Sequence, residues 1–251
     1  MRPQALLVVL AALLVLAFTG VAAALHLQVG STVLNFDARV TPKTLTKTTT
    51  QPAAIRVSGR VSTTDGSTPA ALTKILVRSD QDVSLETEGL PACKLTRIQS
   101  TNSREAAKAC RRSLLGRGTM ATTVAFPGAA PISVQGRLLI FNGARKHRPP
   151  LLLAHMYAQS PSPTAIVTPV RIRRVSRNGL SAIAAVPRIA GGAGFLTSFD
   201  VKISKKYSFR GERRSVISAS CGHRQIRFEV TAFFANGGSS RGSLAHGCKA
   251  R

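Results

Sequence analysis

The sequence predicts an all-β protein, an antiparallel β-sandwich of about a dozen strands with one short helix near residues 102–115. Four dipeptides typical of turns occur at intervals along the chain: Asp65-Gly66, Asn142-Gly143, Asn178-Gly179 and Asn236-Gly237. Each tolerates the positive φ of a tight hairpin turn. The segments between them alternate apolar and polar residues with period two, which is typical of strands with one buried face. These turns and alternations predict the fold class.

The alternation is clearest in the segments 55–62, 132–140 and 226–234. In the last of these, apolar residues from Ile226 to Phe234 alternate with charged and polar residues such as Arg227 and Glu229. Further strands are expected at 33–39, 72–78, 83–86, 118–126, 151–158, 165–175, 180–186, 196–205 and 216–221. Short strands separated by regularly spaced turn signals are typical of an antiparallel sandwich or barrel.

One segment has helical rather than strand character. It runs from Asn102 to Leu115 and is rich in Ala, Lys and Arg. Asn102 and Glu105 have the spacing of a capping box, and Gly116 fits the helix stop. Cys110 falls within this helix, so a bond to Cys93 would pin the helix over an open edge or end of the sheet. The role that we infer for the helix is structural.

The N-terminal residues 1–24 have the features of a secretory signal peptide. Arg2 is followed by an unbroken apolar run from Ala5 to Phe18, and Ala22-Ala23-Ala24 is a small-residue cleavage site. The run is too short to span a bilayer comfortably, and no second long apolar run follows. We therefore expect an exported protein of the cell envelope or the extracellular space, with residues 25–251 forming a single sandwich domain. A sub-boundary near residue 128 is the alternative.

The four cysteines, Cys93, Cys110, Cys221 and Cys248, predict disulfides in an exported chain. Three pairings are open from sequence alone, and we favour Cys93 with Cys110 and Cys221 with Cys248, because each pair is close in the chain. A zinc site completed by His223 and His246 is the alternative, but the Cys-x-x-Cys spacing of such sites is lacking. No metal or cofactor is predicted.

The chain is strongly basic. Its net charge is +25. From Ala106 onward the chain has 24 Lys and Arg residues but only three acidic residues, Asp200, Glu212 and Glu229. Such a field attracts acidic cell-wall polymers or an anionic membrane surface. Specific nucleic-acid recognition is not expected, because aromatic residues for base stacking are not interleaved with the basic clusters. A solvated surface of biased composition is the alternative explanation.

Basic clusters are the main functional candidates in the sequence. The candidate anion-binding residues are Arg145, Lys146, Arg148, Arg171, Arg173, Arg174, Lys205, Lys206, Arg213 and Arg214. His155 and Tyr157, two apart in a predicted strand, are either core residues or polar contacts in a ligand pocket. Ser240 lies in a Gly-x-Ser-x-Gly match near His246, but the match falls in a hairpin rather than on a strand-to-helix turn. No catalytic residue is therefore assigned.

Several motifs resemble a group of exported β-rich proteins of high-GC bacteria that have no assigned activity. These motifs include 57–63, the Gly89-to-Cys93 segment, 124–127, 141–143, 155–157, 189–194 and 197–199. The resemblance spans about residue 36 to Cys248, and it implies secretion and a β-rich fold. Members of the group tend to have Cys-Pro-Asp-Gly where this chain has Cys221-Gly222-His223-Arg224.

Two function classes remain open at this point. The first is a non-enzymatic binding or structural protein, possibly attracted to acidic polymers. The second is a secreted hydrolase acting on an extracellular glycan or ester through His155 or Ser240. The sequence favours the first, because it carries no convincing catalytic set. Ligand, partner and oligomeric state are left open.

Overall fold

The computed structural model describes residues 24–143, 149–160, 162–175 and 179–251, and these are mostly β-strand. The predicted signal peptide, apart from Ala24, lies outside the described residues. So does the cluster of Arg145, Lys146 and Arg148. No helix in the described part of the chain is long and apolar enough to cross a membrane.

Eighteen strands are present in the described residues. In chain order they are β1 (Leu25–Val29), β2 (Thr32–Thr41), β3 (Thr44–Leu45), β4 (Gln51–Thr63), β5 (Leu72–Ser79), β6 (Val83–Leu85), β7 (Leu114–Val124), β8 (Ile132–Asn142), β9 (Leu151–Ala158), β10 (Thr164–Arg174), β11 (Leu180–Ala185), β12 (Gly194–Ile203), β13 (Lys206–Phe209), β14 (Glu212–Ser215), β15 (Ile217–Ala219), β16 (Gln225–Phe234), β17 (Ser239–Gly247) and β18 (Lys249–Ala250). The predicted all-β class is confirmed.

Twelve of these strands form one antiparallel path in the order β1-β2-β4-β12-β7-β8-β9-β10-β11-β5-β16-β17. Its two end strands, β1 and β17, lie against each other. A β-carbon built on Gly242 of β17 would lie 2.7 Å from Leu25 of β1. His246 Nε2 of β17 also lies 2.7 Å from Asp37 Oδ1 of β2. The sheet is therefore nearly closed into a barrel.

The two-sheet sandwich predicted from the sequence is not confirmed, because the long strands belong to one curved sheet. The alternation within each strand specifies one buried face, and a curved sheet satisfies that pattern as well as two packed sheets do. Strand neighbours are set by pairings between distant segments. Asp200 of β12, for example, pairs with Ser58 of β4. Local alternation cannot select between these arrangements.

The barrel interior holds the main core. In β16, Ile226, Phe228, Val230, Ala232 and Phe234 are all buried and point to the same face. This agrees with the alternation in the sequence. Burial of such side chains contributes roughly 1.5–3 kcal/mol each for the larger ones. The interior is thus the principal source of stability.

A helix, α1 (Ser103–Ala109), covers the outer face of β8 and β9. Asn102 and Glu105 form the predicted capping box, with Asn102 Oδ1 accepting from two backbone amides of the first turn. The helix ends before the predicted position, since Cys110 is its C-cap and Leu114 already pairs with Phe141 in the sheet. The last residues that helix propensity assigned to the helix therefore belong to a strand, because they pair with β8.

This helix and the preceding loop make a second core outside the barrel. It contains Ile98, Ala106, Phe141 and Leu153, together with the disulfide between Cys93 and Cys110. The predicted second disulfide, Cys221–Cys248, is also present. All four cysteines are oxidised. Because all four cysteines are in disulfides, none is a thiolate that could complete the alternative zinc site with His223 and His246.

The two ends of the barrel differ. One end, which we name the capped end, carries β3, β6, β13, β14, β15, β18 and the Cys221–Cys248 disulfide. There Leu45, Val83, Ile217 and Ala219 are buried. The opposite end, the loop end, holds the described parts of the connections 30–31, 64–71, 125–131, 159–163, 186–193 and 235–238, because neighbouring strands are antiparallel. In the described residues, packed strands therefore cover the barrel at the capped end.

Candidate functional site: an apolar cavity inside the barrel

The barrel encloses a cavity of about 240 Å³. Thirty residues line it, and among their side chains only Ser79 and Thr168 carry a hydroxyl group. None of the thirty is charged. Apolar cavities of this kind stay dry when empty and accept apolar molecules. The lining therefore favours an apolar occupant over a polar one.

Inward positions of β10 and β11 explain why this part of the barrel is not filled. Ala182 and Ala184 point inward from β11, and Ile166, Thr168 and Val170 point inward from β10. All five keep partial exposure although they face the interior. Protein cores are normally close-packed, so the two small alanine side chains of β11 leave interior space unfilled. These alanines therefore contribute to the cavity.

The cavity runs along much of the barrel. Leu196, near the loop end of β12, and Ile203, at the capped end of that strand, both line it. Seven residues of extended chain span roughly 23 Å. This length fits an elongated apolar chain.

We infer that the cavity meets solvent at the loop end, beside the connection between β11 and β12. Residues 186–193, which we name the strap, connect β11 to β12, and four strands separate those two in the sheet. The strap must therefore cross the end of the barrel. Val186, Pro187 and Ile189 of the strap line the cavity, and Pro187 is exposed. Among the described lining residues Pro187 is the one exposed member, so the strap marks the entrance.

The strap is held at both ends and is rich in glycine between them. Val186 N donates to Thr73 O at 2.8 Å, and Ala125 N donates to Ala193 O at 2.9 Å. Gly192 has φ 111°, a conformation that is essentially restricted to glycine.

The predicted pocket residues His155 and Tyr157 lie on the outer face of β9, opposite the inward Ala154. His155 is fully buried beneath the helical segment, and its Nε2 lies 3.0 Å from Thr101 O. Burial lowers the pKa of His155 below its ordinary value. Tyr157 is half-buried on the same face. Neither residue lines the cavity.

The residues that motivated a hydrolase are not brought together. Ser240 lies within β17, where it pairs with Ala232, and not in the hairpin turn expected from sequence. His246 lies six residues further along the same extended strand, about 20 Å away, and it contacts Asp37. A serine nucleophile and its base must lie within hydrogen-bond reach. This pair therefore does not form a catalytic set.

The described basic candidates lie toward the capped end or on the outer surface. Arg171 and Arg173 are exposed on the outer face of β10. Arg174 pairs with Glu86 at 3.5 Å, and Arg214 pairs with Glu88 at 3.4 Å. Lys205, Lys206 and Arg213 lie in or beside the hairpin β13–β14. The acidic segment after β6 thus partly neutralises two of these arginines.

Comparisons with known proteins found no match to any protein-family model, curated protein or solved structure. The site must therefore be interpreted from its own geometry. Sequence reasoning missed the cavity because it treated each alternating strand as part of a filled core. The small inward residues of β11 were the available signal, but their meaning depends on which side chains face them across the barrel.

Proposed function

We propose that this chain is an exported, non-enzymatic binding protein of the cell envelope or extracellular space, and that its barrel holds an apolar ligand. The two disulfides are consistent with an exported protein, because such bonds persist in oxidising compartments. The single observation that carries the binding proposal is the uncharged cavity of about 240 Å³ inside the barrel. Ligand pockets are mostly apolar and largely pre-formed.

Displacement of a neutral fluorescent probe tests this proposal. N-phenyl-1-naphthylamine fluoresces when it leaves water for an apolar site, and we expect saturable binding to the purified protein. Decanol should compete with the probe. Ala182→Phe should abolish saturable binding, because it places an aromatic ring in the cavity. Ala184→Leu is a milder variant in case the larger one does not fold.

Ala185→Leu is the matched control, because Ala185 is exposed on the outer face of the same strand. It should bind the probe like the wild type. Loss of binding in both the inward and outward variants would indicate misfolding, which circular dichroism would detect. Equal binding by the wild type, the folded Ala184→Leu variant and the control would place the probe outside the cavity and contradict the proposal.

A second candidate role follows from charge. The chain carries a net charge of +25, and exposed Arg171 and Arg173 project from one outer face. We propose that this surface attracts acidic wall polymers or anionic membranes. Binding to anionic vesicles and to isolated wall polymers should weaken steeply with added salt, because exposed charges are screened over about 8–10 Å at physiological salt. Absence of binding to all of them at low salt would remove this role.

A further inference from the structure

We propose that Arg188 binds the anionic head of a single-chain amphiphile whose apolar tail occupies the barrel cavity. This inference rests on the proposed apolar-ligand function and names the ligand class. Arg188 is exposed and lies in the strap between two cavity-lining residues, exposed Pro187 and buried Ile189. The guanidinium group of Arg188 therefore lies at the inferred entrance of the cavity. A ligand with its tail inside would present its head there.

The connections at the loop end carry almost no other charge, although Lys74, near the start of β5, is exposed beside Ala185. Among the described residues in the connections 64–71, 125–131, 186–193 and 235–238, only Asp65 and Arg188 are ionisable. Asp65 accepts a hydrogen bond from Ser67 N at 3.0 Å within its own turn. Arg188 makes no ion pair with any residue that the structure describes. Its guanidinium is therefore available to a ligand.

Apolar side chains are also exposed at this end of the barrel. They are Phe126 and Ile132, in and beside the connection 125–131. In the proposed complex Arg188 contacts the charged head, and apolar side chains contact the rest of the ligand. Guanidinium groups match carboxylate and phosphate oxygens with two parallel hydrogen bonds.

The net positive charge of the molecule also favours an anionic ligand. A net charge of +25 repels cationic amphiphiles and raises the local concentration of anionic ones. A zwitterionic head would gain little from this field. The ligand class that fits both the cavity and its entrance is an anionic amphiphile with one hydrocarbon tail. Carboxylate and phosphate heads share this chemistry.

Competition against N-phenyl-1-naphthylamine separates the head from the tail. Decanoate, decyl phosphate and decanol each have a chain of ten carbons and differ mainly in the head group. We expect decanoate and decyl phosphate to compete more strongly than decanol with the wild-type protein. Whichever of the two anions competes better identifies the preferred head.

Arg188→Gln should weaken binding of the two anions about two- to fivefold, as expected for an exposed charge pair, and leave decanol unchanged. Arg137→Gln is the matched control, because Arg137 is exposed on β8 and its loss removes the same charge. It should change none of the three affinities by more than the long-range effect of one charge.

The outcomes of the proposed function and of this inference are distinguishable. If decanol and the probe do not bind the wild type, the apolar-ligand function fails and this inference fails with it. If decanol binds normally but Arg188→Gln leaves both anions unaffected, or weakens them no more than Arg137→Gln does, the head-binding role of Arg188 is wrong while the cavity function stands.

Discussion

Filling the barrel cavity should stabilise the protein. Ala184 faces the cavity from β11, and Ala184→Leu adds three carbon atoms to its side chain. Each added group occupies ~30 Å³ by comparison with water, so the leucine consumes about 90 Å³. The cavity of about 240 Å³ can accept that volume without overpacking. The substitution therefore differs from insertion into a filled core, which destabilises by about 1–3 kcal/mol.

The size of the expected stabilisation follows from apolar burial. About 0.8 kcal/mol per buried methylene gives an upper value near 2.4 kcal/mol, and lost side-chain entropy of about 0.5–1 kcal/mol reduces it. We expect the free energy of unfolding to rise by about 1–2 kcal/mol. In a domain of this size each kcal/mol corresponds to a Tm increase of about 2–4 °C.

Urea unfolding with the disulfides intact measures this change. The midpoint should rise for Ala184→Leu while the slope with denaturant stays constant. Ala185→Leu, on the exposed outer face, should change the free energy of unfolding by no more than about 0.5 kcal/mol. A destabilised but folded Ala184→Leu variant, next to an unchanged Ala185→Leu control, would refute the reasoning, because it would mean that the interior has no room at this position.

Three further predictions concern the described scaffold. Burial lowers the pKa of His155, so the unfolded chain takes up a proton at a higher pH than the folded protein does. The free energy of unfolding should therefore fall as the pH drops below the unfolded pKa of about 6.5. Urea midpoints from pH 8 to 5 measure this loss, which should be smaller in His155→Gln. Arg224 has φ +60°, the left-handed conformation, so Arg224→Gly should raise the free energy of unfolding by about 0.5–1 kcal/mol, whereas Arg224→Ala, which lacks this freedom, should not. Replacing Cys93 and Cys110 together by serine opens a loop of 17 residues and should cost about 3 kcal/mol, checked by urea unfolding; an unchanged midpoint would contradict the loop-entropy estimate.

Arg224 holds its left-handed conformation in the turn that follows Cys221. Glycine adopts the left-handed conformation without steric cost, whereas arginine does not. The turn nevertheless forms, because Cys248 N donates to Arg224 O at 2.9 Å next to the Cys221–Cys248 disulfide. Tertiary contacts thus hold a turn that local propensity disfavours.

Local physics made several features predictable. Strand alternation from Ile226 to Phe234 specifies a buried face whatever the sheet closure, so the all-β class followed directly. The capping box of Asn102 and Glu105 is a contact within one helical turn, and it formed as predicted. Both disulfides join cysteines that are near neighbours in the chain, where short loops close at low entropic cost.

Features that depend on contacts between distant segments could not be predicted from local sequence patterns. Leu114 pairs with Phe141 in the sheet, so it belongs to β7 and the helix ends before it. Ser240 and His246 are near in sequence, yet an extended strand keeps them apart. Ala182 and Ala184 contribute to the cavity because they face other inward side chains across the barrel.

The sequence by itself predicted the all-β class, the favoured cysteine pairing and the excess of positive charge, because each depends on residues that are close in the chain or on composition alone. Only the tertiary structure decided that the strands close into one barrel, that its interior is left partly empty, and that Arg188 stands at the entrance. Those features arise from pairings between strands far apart in the chain, such as β4 with β12, and no local pattern encodes them.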